Sequence, residues 1–178
     1  MRSSIAISIL ASALLMGACG GSDVSEETAA EPPVETSVEQ ADVTLENGMT
    51  VSEMIDTRQD NLKDMAAAFK FINDEMKSGE PDMDGIKDAA ATVASYSDEI
   101  GSWFPEGTGS ASGVKTDALD TIWSDPDGFE AAVARFQTAA ADLDAAAQAG
   151  DLEAFQATIR PTGMSCKNCH ETFRADDD

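Results

Sequence analysis

Apolar side chains recur along most of this chain at steps of three, four and seven, the spacing that lines them up on one helix face. Ile55, Leu62, Met65, Phe69, Ile72 and Met76 form the first stripe. It predicts a helix over about 50–77, stopped by Ser78-Gly79 ahead of Pro81. Ile86, Ala90, Val93, Ser97 and Ile100 predict a second, over about 83–102. Trp103-Phe104-Pro105-Glu106-Gly107-Thr108-Gly109 opens a loop, because proline and glycine punctuate it. That loop region reaches Trp123, with Leu119 and Ile122 expected to turn inward. Ser124-Asp125-Pro126 reads as a helix start, a capping side chain followed by proline in the first turn. Phe129, Val133, Phe136, Ala140, Leu143 and Ala147 continue it to Gly150. Asp151 then caps a fourth helix carrying Leu152, Phe155, Ile159, Cys166, Cys169 and Phe173 on one face.

No segment reads as strand. Short links join the first helix to the second and the third to the fourth, which makes each pair antiparallel. The fold expected is all-α, an antiparallel up-down-up-down four-helix bundle. Pro161 breaks into the fourth stripe, lacking an N–H and crowding the carbonyl of Ala157. It predicts a kink eased by Thr162-Gly163, or a break with a restart near Gly163.

Composition divides the rest. Residues 1–18 hold Arg2, an apolar run from Ile5 to Met16, and the small pair Gly17-Ala18. The run is too short to span a bilayer and reads as a cleaved export signal. Leu15-Met16-Gly17-Ala18-Cys19 resembles a bacterial lipobox, which makes Cys19 the expected lipidation site and a lipid the membrane anchor. The plainer alternative is an ordinary signal followed by an incidental cysteine. Gly20-Gly21 carry no acidic retention signal, so the outer membrane is the expected anchor point on the periplasmic side. Residues 19–48, rich in acidic, hydroxyl and proline residues, read as a disordered tether. One domain is expected over 49–175 and a short acidic tail over 176–178. The formal net charge of −23 argues against nucleic acid as partner. It suits steering towards a basic redox protein, or simply solubility.

The chemistry lies near the end, in Cys166-Lys167-Asn168-Cys169-His170, which contains the chain's single histidine. Two thiols two residues apart and followed at once by an imidazole form the attachment pattern of a c-type haem. The cysteines bond the porphyrin as thioethers, and the histidine ligates its iron. On a helix the three stand at i, i+3 and i+4 and share a face, here the apolar one, so the haem is expected inside the bundle. Zinc would need four protein ligands, and only Cys19 remains. A redox Cys-x-x-Cys belongs to an alternating strand–helix pattern that this chain lacks. A disulfide would be strained within one turn and would leave His170 unexplained.

These residues resemble those of a known family. Cys166-Lys167-x-Cys169-His170-x-x-Phe173-Arg174 on the last helix is similar to the class II c-type cytochromes, the cytochrome c prime group. Arg58-Gln59 resembles the Arg-Gln that lies over the haem in that family and meets a propionate. Trp103 to Gly109, Lys115 to Leu119, Ile122-Trp123, Pro126, Phe129 and Gly150-Asp151-Leu152 match as well, so the resemblance spans about 54–174. It implies a four-helix bundle with one haem c, often paired as a homodimer, working in the bacterial periplasm. Asp117 and Thr116 occupy loop positions that approach the haem edge in relatives.

The family's deciding position lies four residues after the arginine, at Leu62. Methionine there ligates the iron and gives a low-spin electron carrier; a bulky apolar residue leaves five ligands and a site for small gases such as NO and CO. Leucine has no lone pair, so the resemblance implies gas binding, electron transfer, or both. Met65 lies one turn further on and is the alternative sixth ligand, with core filling as its plainer role. Met54 carries the same pair of readings, and Met164 points off the proximal side. Arg174 either meets the proximal pocket or balances the helix end. Phe104 and Trp123 are expected to pack round the haem. Beyond His170 no histidine can serve as acid–base catalyst, so an enzyme is not expected.

Overall fold

The computed structural model describes residues 40–176. The export signal, Cys19, most of the tether and the last two residues lie outside the described residues.

Four long helices account for most of the described chain: α1 (Val51–Glu75), α2 (Met83–Glu99), α3 (Pro126–Ala149) and α4 (Leu152–Phe173). Each begins on a side chain that satisfies its own first turn. Thr50 Oγ1 accepts from the Glu53 amide at 3.2 Å while Glu53 Oε2 accepts from the Thr50 amide at 2.8 Å, a reciprocal cap. Asp82, Asp125 and Asp151 cap the others through the amides of Gly85, Gly128 and Ala154 at 3.0–3.1 Å. Pro126 occupies the first position of α3. Gly150 ends that helix at φ +70°, a left-handed conformation that suits a residue without Cβ.

The helices pack in sequence, α1 on α2, α2 on α3 and α3 on α4, in the expected up-down-up-down bundle. The backbones of α1 and α4 approach each other less closely than those of the other neighbouring pairs, and Phe69 of α1 lies over Gly163 of α4. Ile72, Ile86, Ala90, Leu143, Ala147 and Phe155 are fully buried and hold the main core. A smaller cluster of Ile122, Phe129, Ala132 and Phe173 closes one end. Among the described residues there is no strand, only isolated bridges pairing Thr44 with Thr50 and Ala118 with Arg174.

Several details depart from the sequence reading. Folded chain reaches back before residue 49: the Val51 amide donates to Val43 O at 2.9 Å, and Leu45 packs on the core. The second helix tightens into a 3-10 turn at Ile100–Trp103, and a single helical turn, Thr121–Ser124, precedes α3. Ile122 turns inward, but Leu119 is 36 % exposed. On α3 the buried position is Ala132, with Val133 half-buried beside it. Leu152, one residue past its cap, is exposed.

α4 runs unbroken through Pro161, so the break near Gly163 does not occur. Thr162, fully buried, donates to Thr158 O at 2.9 Å and across to Ala139 O of α3 at 3.1 Å. That bond ties the turn weakened by proline to its neighbour. Phe155→Ala should cost roughly 3–5 kcal/mol, the range for emptying a closed aromatic site. Thermal unfolding followed by circular dichroism would show it as a lowered midpoint with unchanged helix content.

Candidate functional site

Where α1 and α4 stand apart, a cavity opens at the end of the bundle that holds the loops. Counting its solvent-facing mouth, it encloses about 840 Å³. From α4, Cys166, Cys169 and His170 line it together, as their i, i+3, i+4 spacing requires. Leu62 and Met65 of α1 line it too, with Phe129, Val133 and Phe136 of α3. Cys166 packs on the main core and Cys169 on the smaller cluster, so the two thiols bridge the apolar regions.

Both cysteines are free thiols. Burial pushes Cys166 above its ordinary value. Cys169 is raised first by burial and then by the neighbouring Cys166, while Arg135 pulls it the other way.

Arg58 is the one charged side chain in the core among the described residues, at 1 % exposure. Its Nη2 donates to Thr108 O at 2.9 Å and Thr116 Oγ1 at 2.8 Å. Its Nη1 donates to Thr108 Oγ1 at 3.1 Å and, more weakly, to Trp103 O at 3.4 Å. The guanidinium carbon lies 4.7 Å from the centre of the Phe104 ring. Desolvation lowers its pKa to about 10, which leaves it charged at neutral pH. No carboxylate among the described residues pairs with it. Gln59 extends the same contact, donating to Lys115 O at 2.9 Å.

The loop fastened by Arg58 also holds the end of α4. Asp117 O accepts from the Ala175 amide at 2.8 Å, and Leu119 N donates to Phe173 O at 3.0 Å. Asp117 Oδ2 meets Arg174 Nη2 at 3.5 Å.

Arg58, Gln59, Leu62, Met65, Phe104, Thr116, Asp117, Arg174 and the Cys–Cys–His group thus share one cavity. Met54 does not line it; it is core, with Asn47 Nδ2 donating to its sulfur at 3.5 Å. Met164 is exposed on a separate groove. Trp123 is off the cavity wall and braces the loop from behind, its Nε1 donating to Phe104 O at 3.0 Å. Sequence reasoning missed Thr108, which is fully buried beneath Arg58, and Ser165 and Ala132 on the wall. Ala132, three residues after Phe129, was accessible to the helical period; Thr108 in a glycine-flanked loop carried no signal.

Two thiols and an imidazole on one apolar wall, facing a buried cation, define an all-α protein built to hold a porphyrin covalently. A sequence profile described as Cytochrome C' matches residues 53–174, and the chain belongs to that family. Curated relatives include a cytochrome c' from Rubrivivax gelatinosus, 41 % identical over 68 residues, 38 % of this chain and 53 % of that protein. The chain spans about half the length of the curated relatives it matches. Solved structures are covered more fully. A cytochrome c' with ligand-controlled dimer dissociation aligns with TM-score 0.67 at 27 % identity, over 72 % of this chain and 99 % of that one. A ferrous variant of cytochrome c prime from Alcaligenes xylosoxidans with bound NO aligns with TM-score 0.64 at 30 % identity, over 71 % and 97 %. The family's cofactor is covalently bound c-type haem, and the donor set on this wall fits it.

Arg58→Lys keeps the charge and loses the fork that reaches several acceptors at once. It should cost roughly 2 kcal/mol and raise amide hydrogen exchange across residues 103–116 above that of the helices. In haem-free protein the raised thiol pKa values should slow alkylation of Cys166 and Cys169 at neutral pH relative to an unfolded cysteine peptide. Rates should converge only well into the alkaline range, where the buried thiols also ionise.

Proposed function

We propose that this chain is an exported cytochrome of the c' type that holds one haem c and binds small gases, NO or CO, at an iron with five ligands, with electron transfer as the accompanying role. The observation that carries this is the meeting of Cys166, Cys169 and His170 with Leu62 on the walls of one cavity. Haem supplies a redox-active iron with a position for an external ligand. Cys166 and Cys169 would form its two thioethers, and a ring nitrogen of His170 would ligate it. Arg58 offers a buried positive charge to a propionate, a charge-assisted contact made stronger by low dielectric. Leu62 can exclude water from the opposite wall without ligating. A relative of this fold holds NO, which supports the reading.

Met65 sustains a second reading, because it too lies on the cavity wall and is 9 % exposed. Its thioether would then be the sixth ligand of a low-spin electron carrier. No enzyme activity is proposed, since the single histidine would be taken up by the metal. A homodimer fits a relative whose dimer responds to ligand. The periplasm is the proposed compartment, with Cys19 as lipid anchor at the outer membrane. No helix among the described residues is long and apolar enough to cross a membrane.

Absorption of the reduced protein decides between the readings. A broad high-spin spectrum that Met65→Leu leaves unchanged is expected, and Leu62→Met should convert it towards low spin. A split low-spin alpha band that Met65→Leu abolishes would establish the electron carrier instead.

A further inference from the structure

The cavity has two sides, and they differ in chemistry. At its polar rim, Gln59, Thr116, Asp117 and Arg174 are knotted to the loop and to the end of α4 by the bonds described above. Opening that rim means breaking a charge-assisted bond and an ion pair. On the far side lies a surface groove between the 3-10 turn and α3. Phe104, Ile122, Phe129 and Val133 line both this groove and the cavity. One layer of side chains therefore separates solvent from the site, and every member of that layer is apolar.

We propose that this layer is the gate through which a small apolar diatomic gas reaches the site, with the groove as its antechamber. The inference rests on the gas-binding reading above. Phe104 and Phe129 meet edge to face, with ring centres 5.2 Å apart and planes at 70°. The rings can swing apart without breaking any hydrogen bond, because none of their own atoms makes one; the motion loosens only the contacts of Phe104 with the Arg58 guanidinium and of Phe129 with Phe173. A diatomic without charge gains nothing from the polar rim and loses nothing in crossing a hydrocarbon layer. Trp123 keeps the gate's backbone fixed through Phe104 O, so the opening is a side-chain motion.

The groove floor gives the test. Gly101 lines the groove and not the cavity, and a Cβ built on it meets only Val133 Cγ1, at an ordinary 3.8 Å. Its φ lies outside the left-handed range, so a side chain there is unstrained. Gly101→Phe plugs the groove from its outer side, against Val133, without replacing any residue of the cavity wall, and Gly101→Ala is its control. Glu130→Trp fills the same groove from α3 and replaces the first variant should that one fail to fold. The readout is CO rebinding to the reduced holoprotein after flash photolysis, together with CO dissociation by ligand exchange.

A plug should slow association and dissociation alike by roughly tenfold, the effect of about 1.4 kcal/mol on a barrier, leaving the equilibrium affinity unchanged. Gly101→Ala should match the parent. Association unmoved by either plug, or an affinity that shifts because only one rate changes, would overturn the gate. A parent protein that takes up no CO would overturn the gas-binding reading itself, and the gate with it.

Discussion

A guanidinium at 1 % exposure needs compensation, since an isolated buried charge costs several kcal/mol even after relaxation. Here the compensation is neutral: carbonyl and hydroxyl oxygens of Trp103, Thr108 and Thr116, and the face of Phe104. All come from the loop between α2 and α3. The charge on α1 thereby fixes the position of a segment that has little core of its own. That segment in turn holds the last turn of α4 through Asp117 and Leu119. The two helices that wall the site, whose backbones approach less closely than those of the other neighbouring pairs, are joined there by way of a loop.

This arrangement explains how a bundle keeps a space open between its first and last helices. Direct packing of α1 on α4 would bury more apolar surface but would erase the site. The fold instead places its close packing between the other pairs. Residual positive charge remains at Arg58, because neutral acceptors solvate a cation without neutralising it. An anionic group bound in the cavity would complete that balance. Burial in the same low dielectric raises Cys166 and Cys169 above the ordinary thiol value.

The helices were legible because burial on one face writes a 3.6-residue period into the sequence, and the caps of α3 and α4 were legible because an aspartate at a helix start acts locally. Cys166, Cys169 and His170 were legible for the same reason: their geometry lies within one turn. What remained hidden depends on distant chain. Thr108 and Thr116 lie 50 and 58 residues from the arginine they bind. Leu119 and Ile122 look alike in a loop without periodicity; in the structure Leu119 pairs its backbone with Phe173 O while Ile122 turns into the smaller apolar cluster. Residues 43–48 read as tether because their ordering comes from backbone pairing with Thr50 and Val51.

Arg58 also bears on the choice between Leu62 and Met65. The two share a face of α1, and three residues of helix rise separate them by about 4.5 Å along its axis. Moving the methionine to the place of the leucine requires α1 to slide by nearly a turn. Such a slide would carry Arg58 away from Thr108 and Thr116 and leave a buried cation without acceptors. The bonds that anchor the loop therefore also fix the register of α1. They hold the hydrocarbon of Leu62, one turn from the arginine, at the cavity wall.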